Sequence, residues 1–177
     1  GAAGIAVKVD GPFWVRGAGA QLQVTGLLGW KKQKGKDQAV VTGYLATVRG
    51  VYELSGKTFV IQRGRMDFPG IYPADPVLNV LGELSLKDVL IRLNVTGRLS
   101  AMNLELSSEP SMDEADVASY LLFGKKTSSL TPGQAGNLAE KGAAMLGNQL
   151  LYQLRKEFGP AVPVDMITVD GGANGET

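Results

Sequence analysis

The chain has 177 residues, with 18 Lys and Arg against 17 Asp and Glu for a formal charge of +1, and it contains neither Cys nor His. Near-neutrality argues against a dedicated nucleic-acid binder, which carries a cationic excess against phosphate. The missing Cys and His remove disulfides, Cys/His zinc sites, thiol nucleophiles and imidazole bases, and with them the common triad hydrolases.

The composition is 44% hydrophobic with 24 glycines, about twice the usual ~7% share, which suits a folded domain and not a disordered chain. Residues 1–177 are read as one β-rich domain, with strands over about 5–106. Ile5, Val7 and Val9 alternate with Ala6, Lys8 and Asp10, and Leu22, Val24 and Leu28 alternate with Gln21, Gln23 and Thr25. A period of two is the mark of a half-buried strand. Lys31, Lys32, Lys34 and Lys36 then form a basic loop. A solvated hairpin loop is the plainer reading of it, and attraction to a membrane surface through anionic headgroups the sharper one.

The segment 40–54 is long for a strand, and Gly43 and Gly50 are the expected bends. With Ser55-Gly56 as a two-residue turn, Leu54 opposes Lys57 and Tyr52 opposes Phe59. Met66 and Phe68 have the wrong parity to share a face with Phe59 and Ile61, and a bulge at Gly64 is expected to restore them. With Lys87-Asp88 in the next turn, the pairs Leu84/Ile91, Val80/Val95 and Leu78/Gly97 form an apolar face, while Glu83 meets Arg92 on the other. A loop at 98–101 continues the meander, pairing Val95 with Leu104 and Leu93 with Leu106.

Two helices follow, over about 112–123 and 132–158. Ser111 with Glu114 reads as a capping box for the first, and Gly124 as its end. Thr131-Pro132 opens the second, with Pro at its first position. A last strand is expected over about 164–169. No apolar run approaches the ~18–20 residues that span a bilayer, and no signal peptide is legible.

Several residues resemble a known family pattern. They are Leu106-Ser107-Ser108-Glu109-Pro110, Asp113-Glu114 and Ser119-Tyr120-Leu121-Leu122-Phe123-Gly124. Further stretches are Arg49-Gly50-Val51-Tyr52 with Gly56, Arg63-Gly64-Arg65-Met66-Asp67-Phe68, and Asp75-Pro76 with Leu78. Together they resemble the C-terminal signature of the TamB family, inner-membrane subunits of the translocation and assembly module, similar in architecture to AsmA-like envelope-bridging proteins. The resemblance implies that the chain is the terminal, outer-membrane-proximal module of a longer periplasmic protein anchored in the inner membrane. It implies a curved antiparallel sheet folded like a taco around an open apolar groove. It also implies phospholipid transport between the two membranes and assembly of outer-membrane proteins with a barrel partner of the TamA type.

The expected lining of that groove is Tyr52, Leu54, Phe59, Ile61, Val80, Leu84, Ile91, Leu93, Val95 and Leu104, with phospholipid acyl chains as the occupants. The competing reading of these side chains is an ordinary closed core. A second functional reading is a protein-interaction module, in which a strand edge pairs with the barrel partner or a client strand by β-augmentation. No enzyme, cofactor or metal is expected. Asp113, Glu114 and Asp116 suit a helix start better than a metal site. Ser55-Gly56-Lys57 and Ser85-Leu86-Lys87 fall in expected turns, and the glycines at 17 and 19 open no helix after a strand.

Overall fold

The computed structural model describes residues 4–17, 19–32, 34–54, 56–139, 148, 152 and 168–170. Seven strands run as an antiparallel meander: β1 (Gly4–Gly17), β2 (Ala20–Lys32), β3 (Ala39–Leu54), β4 (Lys57–Pro69), β5 (Val77–Leu86), β6 (Val89–Arg98) and β7 (Ala101–Glu109). Helix α1 (Glu114–Phe123) follows, then a 3-10 turn (Thr127–Ser129) and helix α2, described over 132–139. A short β8 (Thr168–Asp170) pairs with β1, so the sheet order is β7-β6-β5-β4-β3-β2-β1-β8 and the sheet does not close. The rest of the expected second helix, apart from residues 148 and 152, lies outside the described residues, as does 164–167 of the expected last strand.

The expected hairpins hold in register. Leu54 faces Lys57 and Tyr52 faces Phe59. Leu86 faces Val89, Leu84 faces Ile91 and Val80 faces Val95, while Val95 faces Leu104 and Leu93 faces Leu106. Two-residue turns impose this pairing, because each fixes which residues meet across it.

The bulge in β4 sits elsewhere than expected. Ile61 pairs with Gly82 and Arg63 with Leu81, so the extra residue is Gln62 and not Gly64. Its effect on parity is the anticipated one: Phe59 is buried and Ile61 half-buried on the inner side, then Gly64, Met66 and Phe68 take over that side. Gly64 has its own reason to be glycine, since a Cβ there would collide with the Thr47 side chain. A second bulge places Val48 between Arg49, which faces Gln23, and Thr47, which faces Val24. A third irregularity lies between Val9 and Phe13 of β1, the latter facing Val24. These interruptions fall at neighbouring levels of adjoining strands. Bulges bend a strand and increase its twist, so a row of them curves the sheet.

The first helix begins later than expected and is capped by a different residue. Asp113 is the N-cap: its Oδ1 accepts from the Asp116 backbone N–H at 2.8 Å. Ser111 does not cap, and the helix opens at Glu114. A carboxylate held at the helix start also interacts favourably with the dipole, which Ser cannot match. Gly124 ends the helix in the left-handed region, φ 71°, as expected. Thr131 and Gln134 form a reciprocal capping box at α2: the Thr131 N–H donates to Gln134 Oε1 at 3.1 Å and the Gln134 N–H to Thr131 Oγ1 at 3.3 Å.

The core lies between the inner face of β4–β7 and α1. Phe59, Leu78, Leu84, Val89, Ile91, Leu93, Val95, Leu99, Met102 and Val117 form one buried cluster. Fully burying such a side chain stabilises the fold by roughly 1.5–3 kcal/mol. No helix among the described residues is long and apolar enough to cross a membrane.

Candidate functional site

Directly opposed residues of antiparallel strands point to the same side of the sheet. The register therefore defines rows across the inner face. One row is Ile61–Gly82–Leu93–Leu106, another Gly64–Val80–Val95–Leu104, and a third Met66–Leu78–Gly97–Met102. The Phe59 and Ile61 side chains pack beside Gly82, where a Cβ would make ordinary contact with both.

All the expected lining residues lie on this one face, but they differ in cover. Phe59, Leu84, Ile91, Leu93 and Val95 are buried, with Ile91 wholly so at 0% exposure. Val117 of α1 belongs to the same cluster, and Met112, Tyr120 and Leu121 pack against it. Leu54, Val80 and Leu104 are half-buried at its margin, while Tyr52 and Ile61 are half-buried apart from it.

Beyond the bulges the same face continues through β1–β3. The rows Phe13–Val24–Thr47 and Val15–Leu22–Gly50 and the pair Leu28–Gly43 carry it, and Leu45 links Gly26 to Met66. Here Phe13, Val15, Leu22, Leu28, Leu45 and Phe68 are half-buried, although Ala20 and Val24 are buried. Sequence reasoning saw the alternation of Leu22, Val24 and Leu28 but had no means to join it to the face of β4–β7. The Val48 and Gln62 bulges change the parity between them.

The outer face carries the charged side chains, braced by arginines, beside the exposed Leu27, Val60 and Val77. Arg92 bridges Glu83 at 3.2 Å and Glu109 at 2.9 Å, across three strands. Hydrogen bonds to those two carboxylates hold its guanidinium pKa above the ordinary value, Glu109 contributing most. Arg65 binds Asp67 at 2.9 Å and lies 4.2 Å from the Tyr44 ring centroid. Arg16 and Arg49 flank Trp14 at 5.2 and 5.5 Å. Two carboxylates outside the strands have depressed pKa values. Asp75 is lowered chiefly by the Ser100 hydroxyl, at 2.6 Å, and Asp116 chiefly by the Thr127 hydroxyl, also at 2.6 Å. Both are tied into structural hydrogen bonds. Among the described residues no group of three or more acidic side chains is placed to hold a metal.

Among the described residues the inner face is thus apolar throughout, buried beneath α1 over β5–β7 and the Phe59 end of β4, and half-buried over most of β1–β3. The family model of the TamB C-terminal domain matches residues 2–175. A protein of Haemophilus influenzae called "Translocation and assembly module subunit TamB" is 28% identical over 134 residues, which is 73% of this chain and 10% of that relative. The chain therefore spans about a tenth of the length of that relative.

Proposed function

The chain belongs to the TamB family, matching its C-terminal domain, and on that premise we propose that it is a non-enzymatic periplasmic module whose apolar face carries phospholipid acyl chains between the inner and outer membranes. In this role it also supports outer-membrane protein assembly as the outer-membrane-proximal part of a longer, inner-membrane-anchored protein. The supporting observation is the continuous apolar face of an unclosed sheet, half of which α1 leaves incompletely covered. Acyl chains lie along the half-buried side chains, from Tyr52, Ile61 and Leu104 to Leu22, Leu28, Leu45 and Phe68. Phe59, Leu84, Ile91, Leu93 and Val95 form the wall behind them. Burying a CH₂ is worth ~0.8 kcal/mol, so a chain with about eight carbons covered gains roughly 6 kcal/mol before ordering costs. That holds a lipid transiently and still releases it.

Mass spectrometry of an organic extract of the purified chain tests this reading. Co-purifying phospholipid that cross-links to a photoreactive residue at Leu45 supports it. A lipid-free domain that also takes up no added phospholipid overturns it.

One observation favours a second reading. Among the described residues β7 is an edge strand, hydrogen-bonded to β6 alone over its nine residues. An unpaired edge offers a ladder of backbone donors and acceptors to a strand of the barrel partner, of the TamA type, or of a client. Saturable binding of such a partner by the lipid-free domain tests it.

A further inference from the structure

Alternating turns divide the sheet into two ends, and the two differ in chemistry. One end is formed by residues 30–38, 69–76 and 98–101, the links β2–β3, β4–β5 and β6–β7. It carries the cations Lys31, Lys32, Lys34, Lys36 and Arg98 against the carboxylates Asp37 and Asp75. Asp75 is engaged by Ser100. Asp37 stands 3.9 Å from Lys32 in full solvent exposure. The other end, residues 17–20, 54–57, 86–89 and 109, balances Lys57 and Lys87 with Asp88 and Glu109.

The cationic end also exposes large apolar side chains: Trp30 at 40%, Ile71 at 40% and Tyr72 at 56%. No large hydrophobic side chain of the described residues at the opposite end is so exposed. The register brings the two apolar sets together. Gly29, Thr42 and Pro69 form one row across β2, β3 and β4. Trp30 and the chain entering Ile71 therefore stand two strand spacings apart, about 10 Å. The lysines follow Trp30 directly along β2 and its loop.

We propose that this end is a docking surface for an anionic phospholipid bilayer, with Trp30, Ile71 and Tyr72 entering the headgroup boundary and Lys31, Lys32, Lys34 and Lys36 binding its charge. An indole and a phenol suit that boundary because each has an apolar body and a polar handle. Neither component suffices by itself. A few exposed apolar residues are ordinary on a protein surface, and a lysine loop alone is ordinarily just solvated. Their coincidence at one end, and charge complementarity to a polyanionic surface, select a bilayer. The proposal concerns the end of the sheet and does not depend on the groove being occupied.

The test is partitioning of the full chain onto vesicles of phosphatidylcholine with an equal part of phosphatidylglycerol, against vesicles of phosphatidylcholine alone. A Trp14→Phe background leaves Trp30 as the single tryptophan of the two in the chain. Its emission is expected to shift to the blue on the anionic vesicles and to stay unchanged on the neutral ones. Each surface lysine contributes about a fivefold factor near an anionic membrane, so K34Q with K36Q lowers partitioning roughly 25-fold. Tyr72→Ser lowers it further without changing its salt dependence. Equal partitioning onto both vesicles, or no response to K34Q with K36Q, overturns the proposal. So does saturable binding of polyglutamate with none to vesicles, which assigns the surface to an acidic protein. Both lysines are exposed, so the fold is unaffected by their loss. A parent chain that takes up acyl chains but does not partition onto anionic vesicles refutes this docking surface and leaves the groove standing; one that partitions but takes up no acyl chain does the opposite.

Discussion

Asp116 and Thr127 are joined twice: Oδ1 of the aspartate accepts from the Thr127 backbone N–H at 3.0 Å and from its hydroxyl at 2.6 Å. One carboxylate in the first turn of α1 thereby fixes the 3-10 turn that follows the helix. The Ser119 hydroxyl adds a second tie, donating to the Lys125 carbonyl at 2.6 Å. These local bonds hold the cap of the core in place.

Asp116→Ala is expected to cost about 1 kcal/mol, the usual net worth of such hydrogen bonds. The pH dependence follows from its depressed pKa. The folded state binds fewer protons than the unfolded state around the ordinary carboxylate value of 3.8. The stabilisation is therefore fully present above that value and is lost as pH falls through the lower folded value. Asp75 acts in the same direction through Ser100. Acid titrations of thermal stability are expected to show less loss in this range for Asp116→Asn than for the parent chain. An identical acid profile would remove Asp116 from the account.

Asp113→Ala is expected to cost about 1 kcal/mol through loss of the N-cap. Ser111→Ala is expected to leave stability unchanged, because its side chain makes no capping bond to α1. Chemical denaturation of both variants distinguishes the two residues.

Val95→Arg and Leu45→Arg are expected to behave oppositely. Val95 is 5% exposed and belongs to the cluster that includes Val117, so an arginine there buries an unpaired charge. That costs several kcal/mol out of a typical ~5–15, and the variant is expected to unfold. Leu45 is half-buried beyond the cluster. Its replacement leaves a cooperative melt, since the arginine stem lies along the face and the charge reaches water. On the proposed function this folded variant loses phospholipid uptake. Circular dichroism with lipid extraction checks both halves.

Gly43→Ala is expected to be far more damaging than Gly56→Ala. Both glycines have positive φ, 103° and 74°. A Cβ at Gly56 would point into open space, so its cost is the conformational one alone, about 1–2 kcal/mol. A Cβ at Gly43 also collides with the Leu27 carbonyl oxygen, which is backbone and cannot swing away. Comparing the two melting temperatures tests this difference.

Much of the β5–β7 meander was legible in the residues, because two-residue turns and strict alternation are local. Once Lys87 and Asp88 occupy the turn, Leu84 must meet Ile91 and Glu83 must meet Arg92. The helix ends marked by Gly124 and Thr131 were legible for the same reason, and so was the family, through the LSSEP and YLLFG stretches. Only the tertiary structure decided where the parity changes. A bulge can sit at Gln62 or at Gly64 with the same local sequence, and the choice depends on how β4 meets β5. It also decided that Asp113 and not Ser111 caps α1, since both are capping types and their chain geometry differs. Most of all, it decided which part of the apolar face is covered. Alternation shows that Val95 and Leu45 each face inward, but only the folded chain sets one within the cluster beneath α1 and leaves the other beyond it. Cover depends on contacts between elements far apart in the chain, and periodicity carries no information about those.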